Sequence, residues 1–282
     1  MTTSLKSEPY PYLTTTEALE PSYYETLAAR FPSYSDILSM KGYKDPKQII
    51  GRSNILLHMG GIRAFEDNTL IDPVWQEFLR VHYSYDFFRQ IIDLLGDGIR
   101  QSYPDMEQRL GKNLEELTFQ HRDIEDKGAD LWVDIQFSIN TPVREPSRVR
   151  ARHVDDPNKL FVGLFYLPTP EDDSIGGDLE ICRWRGEPLF KNPYVPGQGI
   201  ANTHIHDEQS DLVNTVEYSA NTLAMFVNSP MAIHGVTERQ PTPHIRRYIN
   251  IIAGFNEPLY DFDQYQEKLK PWALTMGGTG RK

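Results

Sequence analysis

Two His-x-Asp triplets, His121 to Asp123 and His153 to Asp155, have residue types and spacing suited to binding a metal ion. Residues two apart on an extended strand point to the same side, so each triplet could direct an imidazole and a carboxylate at one ion. His153 ends a run typical of a strand (SRVRARHV) and precedes an Asp-Asp-Pro-Asn turn, whereas His121 precedes a polar loop. A strand end holds its side chains more rigidly than a loop, so we favour His153 and Asp155 as ligands.

His234 is the candidate for a third ligand. Ferrous iron in non-haem oxygenases is held by two histidines and one carboxylate on one face of an octahedron. His234 lies in NSPMAIHGV, at the end of another predicted strand and 81 residues after His153, and Gly235 would allow close approach of backbone or ligand. The alternative interpretation of His234 is a buried histidine bonded to a carbonyl group.

Two adjacent arginines, Arg246 and Arg247, begin the last predicted strand, RRYINIIAGF. One of them must point inward, and an inward guanidinium requires an anion, for which a carboxylate is well shaped. If Arg246 points inward, the apolar Ile249 and Ile251 face a covering layer of helices. Strand alternation therefore favours Arg246 as the anion-binding residue, with Arg247 as the alternative.

The elements that would position these residues change character along the chain. A helix is predicted from Pro21 to Phe31, and helical periodicity runs from an Asp72-Pro73 start to Ile99. Residues 1–20 suggest irregular structure, and residues 40–70 show a weak pattern. From about residue 130 the chain contains eight short runs rich in β-branched and aromatic residues, separated by turn residues. These runs are LWVDIQFSI, SRVRARHV, LFVGLFYL, GDLEICRW, LVNTVEYS, TLAMFVNS, MAIHGVT and RRYINIIAGF.

Eight short strands without intervening helices predict antiparallel pairing in a barrel or a double-sheet jelly roll. The predicted fold class is α+β: a double-stranded β-helix of about eight antiparallel strands, with N-terminal helices packed on one sheet. We expect a single domain over residues 1–282. It would comprise a mainly helical layer (1–129), a jelly-roll core (130–256) and a C-terminal extension (257–282), with the GGTGRK tail disordered.

These motifs together resemble the Fe(II)/2-oxoglutarate-dependent oxygenase superfamily, and most closely its prolyl 4-hydroxylase-like branch. HVDDPNKLFVGLFYLP is similar to that branch's metal-binding strand, turn and following strand. GGDLEI resembles its Gly-Gly-x-Leu segment, and NSPMAIHGV resembles the strand that carries its distal histidine. The resemblance covers residues 130–255.

The resemblance implies a role for each site residue. His153, Asp155 and His234 would be the iron ligands, and Arg246 or Arg247 would bind the 5-carboxylate of 2-oxoglutarate. Tyr166 stands where related enzymes have a tyrosine that bonds the same carboxylate. The implied cofactor is Fe(II), the co-substrates are 2-oxoglutarate and O2, and ascorbate is a further candidate. The implied reaction is hydroxylation of an unactivated C–H bond with release of succinate and CO2.

The resemblance leaves the primary substrate open. We expect a small molecule, such as an amino acid, a saccharide or a natural-product intermediate. Alternatives are a prolyl or other peptidyl hydroxylase, a non-catalytic jelly-roll binding protein with a vestigial site, and a cupin-type metalloenzyme that uses no co-substrate. A cupin-type enzyme that uses no co-substrate has no need of an inward arginine on the last strand, so that residue argues against this class.

Composition restricts the partners further. The 282 residues carry a net charge of −11, which disfavours nucleic acid and anionic membranes as partners. Cys182 is the single cysteine, so no intrachain disulfide forms, and its strand context suggests an inert apolar side chain. No apolar segment suggests a leader or a membrane span, so a cytoplasmic location is expected. The oligomeric state stays open.

A second polar cluster, His204 to Glu208, could suggest a zinc site. It lies in a long connection over residues 186–211, and no second ligand group follows at a suitable spacing. A loop over the barrel mouth is the favoured interpretation. Within the family resemblance, this loop and the strand around Gln136 and Asn140 are candidates for substrate contact.

Overall fold

The computed structural model describes residues 4–40, 53–67, 69–124, 128–190 and 204–265. Its larger β-sheet has eight strands, and their neighbours pair antiparallel except for β4, which pairs with β5 in parallel. The order along this sheet is β1 (Ser4–Lys6), β2 (Tyr12–Thr15), β9 (Leu223–Val227), β6 (Lys159–Tyr166), β11 (Arg246–Gly254), β5 (Leu131–Asn140) and β3 (Leu56–Gly60), with β4 (Phe119–His121) beside β5.

The smaller sheet has the order β10 (His234–Val236), β7 (Leu179–Trp184) and β8 (Ser210–Val216), again antiparallel. Beyond β10, isolated bridges join His153 to His234 and to His204. Apolar side chains from both sheets meet in one buried cluster, so the sheets pack face to face. Its members include Trp132, Val162, Leu179, Ile181, Val216, Phe226 and Ile252.

In the described part of the chain, six α-helices lie before β4 in sequence. They are α1 (Pro21–Ala29), α2 (Tyr34–Met40), α3 (Gly61–Glu66), α4 (Pro73–His82), α5 (Tyr85–Ser102) and α6 (Met106–Leu110). Their apolar side chains form one cluster with the outer face of the larger sheet, including Leu27, Trp75 and Phe88 from the helices. None of these helices combines the length and apolar character that crossing a bilayer requires. The predicted class is confirmed: an α+β jelly roll with N-terminal helices on one sheet.

Alternation along the strands separates the two faces of the larger sheet. On β5, Ile135 and Phe137 join the helix-side cluster, whereas Gln136 and Asn140 line the cavity between the sheets. Every residue of β5 is buried. The polar side chains of β5 are therefore directed at the interior of the jelly roll, where a packed core would have placed apolar ones.

The first half of the chain contains more β-structure than its sequence pattern indicates. β1 and β2 lie within residues 1–20, which were expected to be irregular, and β3 lies in the weak region 40–70. These strands have three to five residues, too few for a periodicity to show, and each depends on a longer neighbour for its hydrogen bonds. That expectation was wrong.

The segment SRVRARHV is not a regular strand. Its backbone pairs at separated points: Ser147 with Arg239, the Arg150 carbonyl with the amide of Val236, and His153 with His234. Seven strands, β5 to β11, therefore occupy the described part of residues 130–256, where eight were expected.

The predicted helical stretch from Asp72 to Ile99 is two helices. The first helix, α4, ends at His82 with Tyr83 as its C-cap. The next residue, Ser84, caps the start of α5, because its side chain accepts a hydrogen bond from the amide of Phe87. α5 runs through Gly96 and Gly98 and ends at Ser102. At Gly98 a Cβ atom would lie 2.5 Å from the Cβ atom of Pro11, so glycine permits close packing there.

Candidate metal centre

His153 and His234 are held side by side by their own backbones. The amide of His153 donates to the carbonyl of His234 at 2.8 Å, and the amide of His234 donates to the carbonyl of His153 at 2.9 Å. Their ring centroids are 4.2 Å apart, and both residues are buried. Although His234 follows His153 by 81 positions, a pair of reciprocal hydrogen bonds fixes the two imidazoles as direct neighbours.

Asp155 completes the cluster from the turn that follows His153. Its Oδ1 atom lies 3.5 Å from Nε2 of His153 and 4.0 Å from Nε2 of His234. The Asn228 side-chain amide donates to the carbonyls of Asp156 and Lys159, which holds the turn in place. One ligand atom from each of the three residues lies within 4.8 Å of the others, and no other such group of three or more occurs among the described residues.

The protonation of both histidines suits metal binding. Nδ1 of His153 lies 2.7 Å from the Ala151 carbonyl, and Nδ1 of His234 lies 3.0 Å from the Ala232 carbonyl. A carbonyl only accepts, so each Nδ1 carries the proton and each Nε2 presents a lone pair to the cluster. Burial, reinforced by His153, lowers the pKa of His234 to about 3. The His234 ring is therefore neutral at physiological pH.

Lys159 controls the charge of Asp155. Burial acts to raise the pKa of the Asp155 carboxyl, but the Lys159 ammonium opposes this effect and helps to hold that pKa well below its usual range. The ammonium lies 3.1 Å from Oδ2 of Asp155, on the far side of the carboxylate from the imidazoles. Asp155 is therefore ionised with Oδ1 directed at the histidines, as a metal ligand must be.

A cavity of about 450 Å³ opens beside the three residues, between the two sheets. Polar and charged side chains form much of its wall, and apolar residues such as Val162 and Phe226 form the rest. The polar lining includes His58, Arg122, Gln136, Asn140, Arg150, Lys159, Arg246, Tyr248 and Asn250.

Arg246 points into this cavity and is 1% exposed. Its Nε atom donates to the Gly177 carbonyl at 2.7 Å, and its Nη1 atom donates to Oδ1 of Asn140 at 3.2 Å. The rings of three tyrosines surround the guanidinium at 4.7 to 5.1 Å; they belong to Tyr166, Tyr218 and Tyr248. Within the described chain, no carboxylate forms an ion pair with Arg246, so its charge lacks a counter-ion.

Arg247 faces the opposite side of β11. Its Nε atom donates to the Leu167 carbonyl at 2.8 Å, and its guanidinium lies 5.2 Å from the ring centre of Phe31 in the helix-side cluster. Ile249 and Ile251 face the same way. The structure thus has the alternation expected from the sequence, with Arg246 towards the cavity and Arg247 towards the helices.

Several buried polar atoms near Arg246 have no hydrogen-bond partner within the part of the chain that the structure describes. They stand on inward-facing positions of three neighbouring strands, β5, β6 and β11. They are Oγ of Ser138, Nδ2 of Asn140, the Tyr166 hydroxyl, Nη2 of Arg246 and Oδ1 of Asn250. Unsatisfied buried polar groups are rare in folded proteins, so a cluster of five at one place fits the binding of a polar ligand.

The paired glycines of the GGDLEI segment place Arg246. Gly176 and Gly177 have φ angles of +82° and +91°, a region that favours glycine. A Cβ atom on Gly176 would lie 1.9 Å from the Glu238 carbonyl oxygen. A Cβ atom on Gly177 would lie 3.2 Å from the Cδ atoms of both Arg239 and Arg246. The two glycines let the backbone approach closely enough for Gly177 to accept the hydrogen bond from Arg246.

Lys159 and Arg239 are site residues that the sequence did not reveal. Arg239 is fully buried beside Arg246, and its guanidinium donates to the carbonyls of Thr141 and His244. Burial and the neighbouring Arg246 charge lower the pKa of Arg239. In the sequence Arg239 stands in a polar, proline-containing stretch that resembles a surface loop. Lys159 could have been found, because a lysine four residues after a candidate carboxylate ligand begins an apolar strand.

The other candidate groups do not join the metal-binding cluster among the described residues. His121 lies on β4 with its ring against Tyr83, and it belongs to no metal-binding group among the described residues. Nδ1 of His204 lies 3.0 Å from the carbonyl of Arg152, and the proposed loop over the mouth falls largely on residues 191–203, outside the described residues. Burial raises the pKa of the Cys182 thiol to about 12, in agreement with an inert side chain.

No family model matches the sequence, and no curated protein matches it. Solved structures do match. A prolyl-4-hydroxylase from Pseudomonas putida is 14% identical, with 88% of this chain and 95% of that chain covered and a TM-score of 0.42. The non-haem alpha-ketoglutarate-dependent carbocyclase SnoK from nogalamycin biosynthesis is 11% identical, with 94% and 85% covered and a TM-score of 0.45.

A third solved structure is HygX from Streptomyces hygroscopicus, with nickel, 2-oxoglutarate and hygromycin B bound. It is 14% identical, with 87% of this chain and 83% of that chain covered and a TM-score of 0.38.

Proposed function

We propose that this protein is a non-haem Fe(II)/2-oxoglutarate-dependent dioxygenase that hydroxylates an unactivated C–H bond of a small molecule. The observation that carries the proposal is one cavity with two features. At one place His153, Asp155 and His234 present ligand atoms within 4.8 Å of one another, and at another the buried Arg246 lacks a counter-ion. A two-histidine, one-carboxylate site suits Fe(II), and a buried arginine suits a dicarboxylate co-substrate.

The residues present fit both groups. His153, Asp155 and His234 would hold the iron through Nε2, Oδ1 and Nε2, the atoms that already face one another. Arg246 would bind the 5-carboxylate of 2-oxoglutarate through Nη2, which has no other partner among the described residues. When bound, the iron and 2-oxoglutarate together would use O2 to oxidise a C–H bond, with release of succinate and CO2.

The chain's own residues prepare this chemistry. Carbonyl groups fix the tautomer of both histidines, and Lys159 keeps Asp155 ionised and turned towards them. Burial raises the pKa of Tyr166 to about 12, so its hydroxyl stays protonated and can donate to the same carboxylate as Arg246. The apolar part of the wall, which includes Val162 and Phe226, limits access of water to the reacting centre.

Arg246 distinguishes this function from the alternatives. A cupin-type metalloenzyme that uses no co-substrate, or a binding protein with a vestigial site, has no need of a buried guanidinium without a counter-ion. Burying such a charge is unfavourable unless a ligand neutralises it. Its burial beside four further unsatisfied polar atoms supports a co-substrate site.

Calorimetry with Mn(II) in place of Fe(II) tests the proposed site without turnover. We expect 2-oxoglutarate to bind the Mn(II)-loaded wild type and His121→Ala, which alters the other His-x-Asp triplet. His153→Ala and His234→Ala should lose that binding. Equal binding by all four proteins, or binding that does not depend on the metal, would exclude the assigned ligands.

A product assay separates the substrate classes. Amino acids, saccharides and a proline-containing peptide would be incubated with Fe(II), 2-oxoglutarate and O2, and products with one added oxygen atom would be sought by mass spectrometry. Oxidation of a small molecule supports the proposal. Hydroxyproline in the peptide, without small-molecule oxidation, would favour the peptidyl hydroxylase alternative.

A further inference from the structure

The cavity beside the candidate metal centre is rich in basic side chains, although the whole chain carries a net charge of −11. Four cationic residues line it: Arg122, Arg150, Lys159 and Arg246. A basic cavity in an acidic protein is a local feature that the overall composition does not explain.

Two of these four cations have carboxylate partners. Lys159 lies 3.1 Å from Asp155, and Arg122 lies 3.7 Å from Asp134 while its guanidinium stacks 4.5 Å from the ring centre of Trp132. Both side chains are therefore fixed by groups of the protein itself.

Arg150 differs from the others. No side-chain hydrogen bond or ion pair joins it to any other described residue, although it is partly buried and lines the same cavity as His153 and His234. Its backbone carbonyl accepts a hydrogen bond from the amide of Val236 at 3.0 Å, two residues after His234. The chain thus holds Arg150 next to the strand that carries a proposed metal ligand, with its guanidinium free to bind a ligand.

The charges of the loaded site point to the partner of Arg150. In the proposed complex, the two positive charges of Fe(II) are offset by the two negative charges of 2-oxoglutarate. Two carboxylates, Asp155 and Asp156, line the cavity, and a third, Asp134, pairs with the cavity-lining Arg122. The four cations are therefore matched by three carboxylates, so one positive charge is left over. Arg150 is the cation without a partner.

We infer that the primary substrate carries an anionic group, a carboxylate or a phosphate, that pairs with Arg150. The inference rests on the proposed function, since the charge count includes iron and 2-oxoglutarate. A guanidinium binds either group through two parallel hydrogen bonds, which fix orientation as well as position. Anchoring at Arg150 would hold the reactive C–H bond towards the metal ligands, with Gln136 and Asn250 beside the uncharged part of the substrate.

Nuclear magnetic resonance of the arginine Nε–Hε groups tests this inference. The protein would be loaded with Zn(II), which is diamagnetic, and with saturating 2-oxoglutarate, so that Arg246 is already occupied. Sodium acetate and inorganic phosphate are the two probes, titrated separately at constant ionic strength. The Arg150 signal is identified by its absence from Arg150→Gln, and Arg183, exposed on β7 outside the cavity, is the internal control.

We expect a saturable shift of the Arg150 signal in the millimolar range with at least one probe and little movement of the Arg183 signal. The probe that binds more tightly indicates whether the natural group is a carboxylate or a phosphate. An Arg150 signal that does not move with either probe, or that moves no more than the Arg183 signal, would overturn the inference.

The same samples separate this inference from the proposed function. Arg150→Gln should bind 2-oxoglutarate as the wild type does. If 2-oxoglutarate affinity instead falls as far as in Arg246→Gln, Arg150 belongs to the co-substrate site and the inference is wrong while the proposed function stands. Failure of the metal-loaded wild type to bind 2-oxoglutarate would remove the proposed function itself.

Discussion

The ammonium of Lys159 lies 3.1 Å from Oδ2 of Asp155, while Oδ1 of the same carboxylate faces the imidazole of His153 at 3.5 Å. The two oxygens of Asp155 are thus assigned to different partners before any metal binds. Such a contact orients a ligand and restricts it to one-atom coordination, which leaves more positions on the metal for other groups.

Replacing Lys159 by methionine should weaken metal binding. The carboxylate would lose both its orientation and its compensating charge, and changes to groups that orient a ligand typically reduce metal affinity by about 10- to 100-fold. Affinity would be measured by competition with a chromophoric chelator. Lys112→Met is the matched control, since Lys112 pairs with Asp130 at the surface. Equal affinities in Lys159→Met and Lys112→Met would show that Lys159 does not position Asp155.

The two arginines at the start of β11 should behave differently. Arg246→Gln removes the one guanidinium that faces the cavity from this strand, and loss of a bidentate ion pair should reduce 2-oxoglutarate affinity by roughly 100-fold. Arg247→Gln removes a contact with Phe31 and a hydrogen bond to Leu167, so it should lower the free energy of unfolding and leave that affinity unchanged. Calorimetry and chemical denaturation would measure the two quantities, and the reverse pattern would exchange the assigned roles.

Gly177→Ala tests how the glycine pair places Arg246. The added methyl group would meet the Cδ atoms of Arg239 and Arg246 at 3.2 Å on a backbone with φ of +91°. We expect 2-oxoglutarate affinity to fall by about tenfold, because this change displaces the arginine, while metal affinity is retained. Gly186→Ala is the control, since its Cβ atom would meet no atom within 4 Å. An unaltered 2-oxoglutarate affinity in Gly177→Ala would mean that Arg246 tolerates the shift.

His82 should make stability depend on pH at a place remote from the metal centre. The His82 ring stacks on Phe78 and contacts Phe87. Burial there lowers the pKa of His82 from 6.5 to about 4. Between these pH values the unfolded chain binds a proton that the folded protein excludes, so the free energy of unfolding should fall as pH decreases from 6.5 to 4. His82→Phe keeps an aromatic ring and should flatten this dependence in denaturation experiments with a chelator present. An unchanged slope would contradict the assignment.

The residues that face the cavity were predictable where strand periodicity determines direction. Alternation along β11 separates Arg246 from the helix-side Ile249 and Ile251. The fold class followed from the density of short strands after residue 130. These features depend on local periodicity, which a single sequence contains.

Contacts between distant segments were not predictable in the same way. Arg239 and Arg246 both pack against Gly177, and the lack of a side chain there permits the close approach. Nothing near Arg239 in the sequence indicates that this residue is buried. The short strands β2 and β3 pair with the longer strands β9 and β5, and β1 pairs with β2. The break between α4 and α5 depends on one capping side chain, Ser84, within a continuous apolar pattern.

Anaerobic titration with Fe(II) and 2-oxoglutarate tests the central claim most directly. If His153, Asp155 and His234 bind iron and Arg246 holds the co-substrate against it, the wild type should develop the weak visible charge-transfer band of the iron–2-oxoglutarate chelate. Arg246→Gln should require far more 2-oxoglutarate to reach that band, and His234→Ala should not develop it. Absence of the band from the metal-loaded wild type at saturating 2-oxoglutarate would contradict the proposed function.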